Sequence, residues 1–390
     1  MFRTAAALLV FVALSLLPSI AKAEGVDVDL YTIGYAPNFY SRFGHSIFCV
    51  REKGTDVGLE KGVCYDYGVA DKEDFVHVFW TSVRGEATFV PIAVEEKVAL
   101  DFFRAQGRRI ERQRLPLDDD DAARLANRLE EDVSQKRAYA YHPYWANCST
   151  QLRDRLDRVT GGKLHEGPNA PTKDSYRQLM EDGHAGHSPE LFGMTLFLGG
   201  ANDRAPDAWE SMYLPVFLRD GVQDRFGVKP VLVNDGPPPP PPTRMLGRAV
   251  TMIIGALLAA IVAFVGRTRK GLALKIAGGV LGVLAVTTTM MSALVVYPEI
   301  VWNAALLVLL PTDLLLPWLG RFKGGRFLPH YIKARLGLTL VCAVLAMAGV
   351  FAQPLVAICV LVALPLLAIA MLDRKRAAVA EPAAATPATT

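Results

Sequence analysis

The run Asn234-Asp235-Gly236-Pro237-Pro238-Pro239-Pro240-Pro241-Pro242-Thr243-Arg244-Met245 divides the chain into two unlike halves. Consecutive prolines carry no amide donors and prefer polyproline II, so they act as a semi-rigid spacer rather than as part of a packed domain. A linker is therefore placed over residues 236–246. The 390 residues are 51% hydrophobic, more than one ordinary soluble domain carries. The excess lies after Met245, and the stretch before it has the composition of a soluble domain.

Downstream, residues 247–373 hold five apolar stretches, at 250–265, 276–297, 300–319, 336–351 and 355–372. Each is near the length that crosses a bilayer. Arg267, Arg269, Lys270 and Lys275 fill the first loop, and Arg321, Lys323, Arg326, Lys333 and Arg335 the third. Arg374, Lys375 and Arg376 follow the last stretch, whereas Pro298-Glu299 and Gln353-Pro354 carry no basic residue. The positive-inside rule turns this alternation into an all-α bundle of five transmembrane helices with a cytoplasmic C-terminus. Residues 374–390, rich in Ala, Pro and Thr, read as a disordered tail. Asn303 and Asp313 interrupt the third stretch. A carboxylate inside a membrane is costly and often functional, but Asp313 follows Pro311-Thr312 and equally reads as a helix break near an interface.

Upstream, Arg3, an apolar run over 5–17, Pro18 and Ala21-Lys22-Ala23 make a secretory signal over residues 1–23, cleaved before Glu24. An uncleaved anchor helix is the alternative. Signal and charge alternation independently place residues 24–235 outside the cytoplasm, in the periplasm of a bacterial inner-membrane protein. The net charge of +3 makes no case for nucleic acid.

Within this half, period-two alternation and β-branched or aromatic residues predict strands at 26–31, 45–51, 62–69 and 87–94. A helix is predicted over 95–109 with Val98, Phe102 and Ala105 on its apolar face, then a short strand at 114–117. Asp118 to Asp121 suit the start of a second helix reaching Arg137. The class is α+β.

Next comes Tyr141-His142-Pro143-Tyr144-Trp145-Ala146-Asn147-Cys148-Ser149-Thr150-Gln151-Leu152-Arg153-Asp154. An aromatic loop runs into a helix whose stripe is Leu152, Leu156 and Val159, with its N-terminus near Asn147-Cys148. A thiol there feels the positive end of the helix, which favours thiolate, and the free amides can hold an oxyanion. A thiolate nucleophile also needs a base. The candidates are His45, His77, His142, His165, His184 and His187. His45 follows Gly44 at a strand start, beside a strand carrying Tyr65 and Asp66. His142 is the local rival, and His184 and His187 fall in a glycine-containing loop expected to be solvated. Cys49 and Cys64, on neighbouring predicted strands, can pair as a disulfide in an oxidising compartment, which would leave Cys148 free. Against the nucleophile stands the plain alternative of a buried helix cysteine and a satisfied strand histidine. No tight Cys/His cluster points to a metal, and no cofactor is expected.

Tyr40-Ser41-Arg42-Phe43-Gly44-His45-Ser46, Tyr67-Gly68, the segment from Asn147 to Asp154 and Glu210-Ser211-Met212-Tyr213-Leu214-Pro215 resemble the periplasmic domain of the Lnb-type lipoprotein N-acyltransferases. The membrane half resembles that family mainly in Trp302-Asn303, Leu306-Leu307 and Pro311 and departs from it in detail. The resemblance implies a circularly permuted papain-like, NlpC-like thiol fold, in which the histidine strand precedes the cysteine helix. It implies acyl transfer from a membrane phospholipid, through a Cys148 thioester, to the α-amino group of a diacylated lipoprotein. His45 would be the base, while Asp66 as its orienter does not transfer clearly from the family. Asn147, Ser149, Tyr144 and Trp145, beside the thiol, are candidates for oxyanion and substrate contacts. Two readings compete: a periplasmic cysteine peptidase or amidase acting on cell-wall peptides, and a membrane-anchored scaffold without catalysis.

Overall fold

A computed structural model describes residues 25–38, 41–71, 74–167 and 169–380. The expected signal sequence, Tyr40 of the quoted motif and the end of the expected tail lie outside the described residues. Seven strands, β1 (Val26–Ile33), β2 (His45–Glu52), β3 (Val63–Ala70), β4 (Thr88–Glu95), β5 (Ile110–Arg114), β6 (Tyr139–Ala140) and β7 (Val231–Asn234), form one sheet in the order β6-β4-β3-β2-β1-β5-β7. Every pairing is antiparallel. Eight helices accompany it: α1 (Phe75–Val83), α2 (Glu96–Ala105), α3 (Asp119–Ser134), α4 (Cys148–Val159), α5 (Tyr176–Gly183), α6 (Ser188–Phe197), α7 (Ala208–Ser211) and α8 (Pro215–Phe226).

The period-two pleat sends alternate residues of β2 into two cores. Phe48 and Val50 join Leu125 and Leu129 of α3, Leu152 and Leu156 of α4, and Leu218 of α8. Ile47 and Cys49 face the other way, onto Leu100 and Phe103 of α2. Cys49 and Cys64, directly opposed across β2 and β3, form a disulfide.

Two expected elements shift. The apolar face of α2 is not the one that packs: Leu100 and Phe103 are buried, while Val98 and Phe102 are 54% and 60% exposed. The helix has two apolar stripes, and the sheet takes only one. The strand expected at 114–117 lies instead at Ile110–Arg114, because Gly107, at φ +67°, turns the chain back to pair with β1 at once. The helices α1 and α5 to α8 and the strands β6 and β7 were not foreseen.

The prolines do not hold the halves apart. β7 pairs with β5 immediately before them, and residues 235–243, without regular structure, lead into α9 (Leu246–Gly266). Helix α6 lies on α9 so closely that a Cβ on Gly247 would meet the Leu191 carbonyl oxygen at 2.4 Å. Arg244 donates to Asp174 at 2.8 Å and to Asp182 at 2.5 Å.

The membrane half comprises α9, α10 (Lys270–Leu294), α11 (Pro298–Val301), α12 (Leu316–Leu319), α13 (Leu328–Met347) and α14 (Leu355–Ala380). Four of these are long and apolar enough to cross a bilayer. The third expected span is not a continuous helix: Pro298–Leu307 and Pro311–Leu319 are bent by 46°. Prolines at 298, 311 and 317 remove the amides a continuous helix needs. Irregular backbone in an apolar bundle persists only where other groups satisfy it. Gln353 accepts from the Ala304 amide at 2.6 Å, Asn303 from the Ala305 amide at 2.9 Å, and Arg335 donates to the Val308 carbonyl at 2.8 Å. Arg335 therefore belongs to α13 and not to a basic loop. It is buried and bidentate on Asp313, at 2.9 and 2.7 Å, and the Tyr331 hydroxyl donates to the same carboxylate at 2.7 Å.

This pair fixes the broken span. Asp313→Asn leaves Arg335 a buried cation without a counter-charge, which is expected to cost about 3–5 kcal/mol. Thermal unfolding in detergent checks it: the single variant should melt well below the unsubstituted protein, and Asp313→Leu with Arg335→Leu should recover much of the loss. An unchanged melting temperature for Asp313→Asn would remove the pair from its structural role.

Candidate active site

Two glycines place His45. Gly44 has φ +85°, and a Cβ there would meet the Ile33 carbonyl oxygen at 2.6 Å. The chain turns into β2 with His45 opposite Ile33. On β3 the register shifts between Asp66 and Val69. A Cβ on Gly68, inside this irregularity, would meet Cε1 of His45 at 2.4 Å, so the imidazole occupies the space a side chain would fill. His45 Nε2 lies 2.9 Å from Asp66 Oδ1, which also accepts the Gly68 amide at 2.6 Å. Tyr65, the other candidate orienter, turns away and donates to Glu130 at 3.0 Å.

Helix α4 places the thiol. Asn147 is its N-cap: the Asn147 side chain accepts from the Thr150 amide at 3.0 Å and the Thr150 hydroxyl accepts from the Asn147 amide at 2.8 Å. This capping box fixes the first turn and leaves the amides of Cys148 and Ser149 for a substrate oxygen. The Asn147 side-chain NH2 donates to Pro143 at 2.8 Å and Tyr213 at 3.0 Å, so this side chain holds the loop rather than facing a ligand. Ser149 is buried, its hydroxyl 3.2 Å from that of Ser46, which ties α4 to β2.

The thiol and the imidazole come together across this seam, near enough for each to shift the other's titration. Burial alone would raise the Cys148 pKa, but the charge and hydrogen bond of His45 and the Ser46 amide outweigh it, and the thiol is held below its ordinary range. Burial alone would lower His45, but Asp66 and Cys148 together push it well above the ordinary histidine value. Burial would raise Asp66, yet His45 and the Gly68 amide hold it low. These directions favour a thiolate–imidazolium pair beside an ionised Asp66. With Nε2 on Asp66, Nδ1 is the nitrogen left for sulfur.

His142, the local rival, is engaged elsewhere. Its Nδ1 accepts from the Tyr144 and Trp145 amides at 3.1 and 3.3 Å, and its ring packs edge-on to Tyr297 of the membrane half. Burial, partly opposed by Glu299, keeps its pKa below the ordinary value. Tyr144 is buried among Tyr176 and Tyr213 and donates to Asn202 at 2.7 Å. Trp145 is 41% exposed and donates to Glu299 at 3.2 Å. His184 and His187 are not the solvated pair expected: His184 is buried, with Nδ1 3.0 Å from the Met180 carbonyl, and His187 Nδ1 lies 3.1 Å from Arg42.

Sequence reasoning missed Arg108. It lines, with His45 and Asp66, a groove of about 690 Å³. It is 3% exposed, and burial lowers its pKa to about 10, against an opposing effect of the Cys148 charge. It follows a helix end and belongs to no motif that would have singled it out.

Residues 19–182 match the family described as the Lnb N-terminal periplasmic domain. Over those residues the chain is similar to the Lnb-type family. No curated protein and no solved structure matches it. The Lnb match spans His45, Asp66 and Cys148 and stops within α5, so Tyr213, which holds Asn147, and Pro215, against which Gly44 packs, lie beyond it. Together with the apolar helices that follow, the Lnb domain makes this a multi-pass membrane protein with a periplasmic N-terminal half.

The ion pair has a measurable signature. Alkylation of Cys148 by iodoacetamide should rise with pH through an inflection below about 8.5, the ordinary thiol value. His45→Ala removes the two largest influences that lower the thiol, while burial and the Asp66 charge remain, so the inflection should move above that value. Gly68→Ala, which displaces the ring without deleting it, should move it the same way. Profiles that coincide for all three proteins would refute the pairing.

Proposed function

We propose that this protein is a lipoprotein N-acyltransferase working through a Cys148 thioester, and that its periplasmic half has the permuted papain-like arrangement. The observation that carries this reading is where the thiolate pair lies. The loop 141–147 leading to Cys148 is held on the membrane half: the Tyr297 hydroxyl donates to the Tyr141 carbonyl at 3.2 Å, and Trp145 reaches Glu299. A nucleophile anchored there meets substrates confined to the outer leaflet at high effective concentration. His45 on an early strand and Cys148 on a later helix support the permuted order. The basic loops support a cytoplasmic C-terminus.

The residues then take these roles. The Cys148 thiolate attacks the ester carbonyl carbon of a phospholipid. The Cys148 and Ser149 amides receive the oxyanion. As the intermediate collapses, the ester C–O bond breaks and His45 gives its proton to the departing lysophospholipid oxygen, leaving the thioester. The α-amine of a diacylated lipoprotein next attacks the thioester carbonyl. His45 takes the amine proton, the C–S bond breaks, and the amide forms with the thiolate restored. Asp66 orients His45 and offsets its charge throughout.

Mass spectrometry of a lipoprotein's N-terminal peptide tests the proposal, in cells lacking their own N-acyltransferase and supplied with this protein. A third acyl chain should appear with the unsubstituted protein and be absent with Cys148→Ser, while His45→Ala should reduce it by at least about 100-fold. An unchanged diacyl peptide, with the protein inserted and Cys148 reactive, would favour a peptidase or amidase. An unchanged diacyl peptide with an inert Cys148 would favour a scaffold.

A further inference from the structure

Arg108 presents an unusual balance. It is almost fully buried, and among the described residues no carboxylate forms an ion pair with it. Its Nε and Nη2 both donate to the Gly34 carbonyl, at 3.0 and 2.7 Å, and its guanidinium lies 5.3 Å from the Phe103 ring centroid. Nη1 keeps donors for a further acceptor. Burial of the cation is costly, and the Cys148 charge offsets that only in part, so an anionic ligand on Nη1 would stabilise it.

The surroundings say what kind of ligand. From Arg108 and the His45–Asp66 pair the groove runs between α2 and the sheet, lined by Ile92 and Val94 of β4 and by Val98, Phe102 and Phe103 of α2. Its volume falls in the ordinary range for small-molecule sites, about 300–1,000 Å³. The second apolar stripe of α2, left unpacked by the sheet, forms its rim. One cation at the reactive end and apolar walls beyond match an amphiphile with an anionic head and a hydrocarbon tail.

We propose that this groove is the donor-lipid site, with the phosphodiester of a phospholipid on Arg108 and the acyl chain lying along α2. This rests on the acyltransferase reading and adds to it the place and the charge by which the donor is recognised. Arg108 then draws the phosphate to one side of the ester while the chain is removed from water on the other, which brings the carbonyl towards Cys148.

The test uses the full-length protein with Cys148→Ser, in nanodiscs of phosphatidylglycerol carrying a diazirine on its acyl chain. After irradiation, adducts are expected on the peptide spanning α2. Arg108→Gln should reduce them on the order of tenfold, the loss of a charge-assisted hydrogen bond. Val98→Trp, at an exposed rim position away from Gly34, should independently reduce them by narrowing the groove. A diacylglycerol with the same chain and no phosphate should label α2 only at the Arg108→Gln level. Labelling confined to the membrane helices overturns the proposal. So does labelling of α2 that is indifferent to Arg108 and to the phosphate, even if Arg108→Gln shifts the alkylation profile of Cys148. If α2 is labelled as expected and no third acyl chain appears on a lipoprotein, the groove stands and the transferase reading falls.

Discussion

A charged imidazole can persist out of water only where anions flank it, and the architecture of the periplasmic half follows from meeting that condition. Asp66 supplies one anion from β3 and Cys148 the other from the start of α4. Neither could approach if a side chain stood at Gly68 or if the chain failed to turn at Gly44. The carboxylate is held low chiefly by His45 and further by the Gly68 amide, so one irregular stretch of β3 makes room for the ring and helps to charge its partner. The seam between α4 and β2, closed by the Ser46 and Ser149 hydroxyls, keeps the sulfur in register with the ring.

The membrane half meets the opposite problem, that of polar backbone in an apolar setting. A segment broken by prolines exposes amides and carbonyls that lipid cannot satisfy. Asn303, Gln353 and Arg335 answer for them one by one, and Asp313 holds Arg335 in place. The carboxylate that the sequence left open between a functional group and a helix break is tied to the break. Gln353 also donates to the Leu198 carbonyl at 2.7 Å and Asn303 to that of Leu196 at 2.7 Å, so the same two amides join the broken segment to the end of α6. Repair of the irregular span and docking of the periplasmic half are one hydrogen-bond network.

What the sequence made legible were the features governed by local chemistry. Strands β1 to β4 follow from alternation, α4 from its Leu152–Leu156 stripe and its Asn147 cap, and the membrane half from hydropathy. The features that depended on a partner were not legible. Val98 and Phe102 have a better helical stripe than the face that packs, because periodicity reports that a face is apolar without reporting what covers it. The prolines read as a separator, yet the two halves pack against each other. Some of the contacts that bring the halves together lie in α6, whose amphipathicity is weak because its neighbours in the membrane half are apolar. Arg108 was invisible for a similar reason: nothing in a chain of letters marks an arginine that the fold buries without a carboxylate partner.

The clasp between loop 141–147 and the segment around Tyr297 and Glu299 alters what the bundle means for the chemistry. An anchor needs one helix, and its tilt or depth would not matter to a domain on a flexible tether. Here the turn that precedes Cys148 is fastened to the bundle by Tyr297, Glu299 and the edge-on packing of His142. A tilt of those segments would therefore be carried through these contacts to the capped end of α4, and the bundle would act as a lever as well as an anchor.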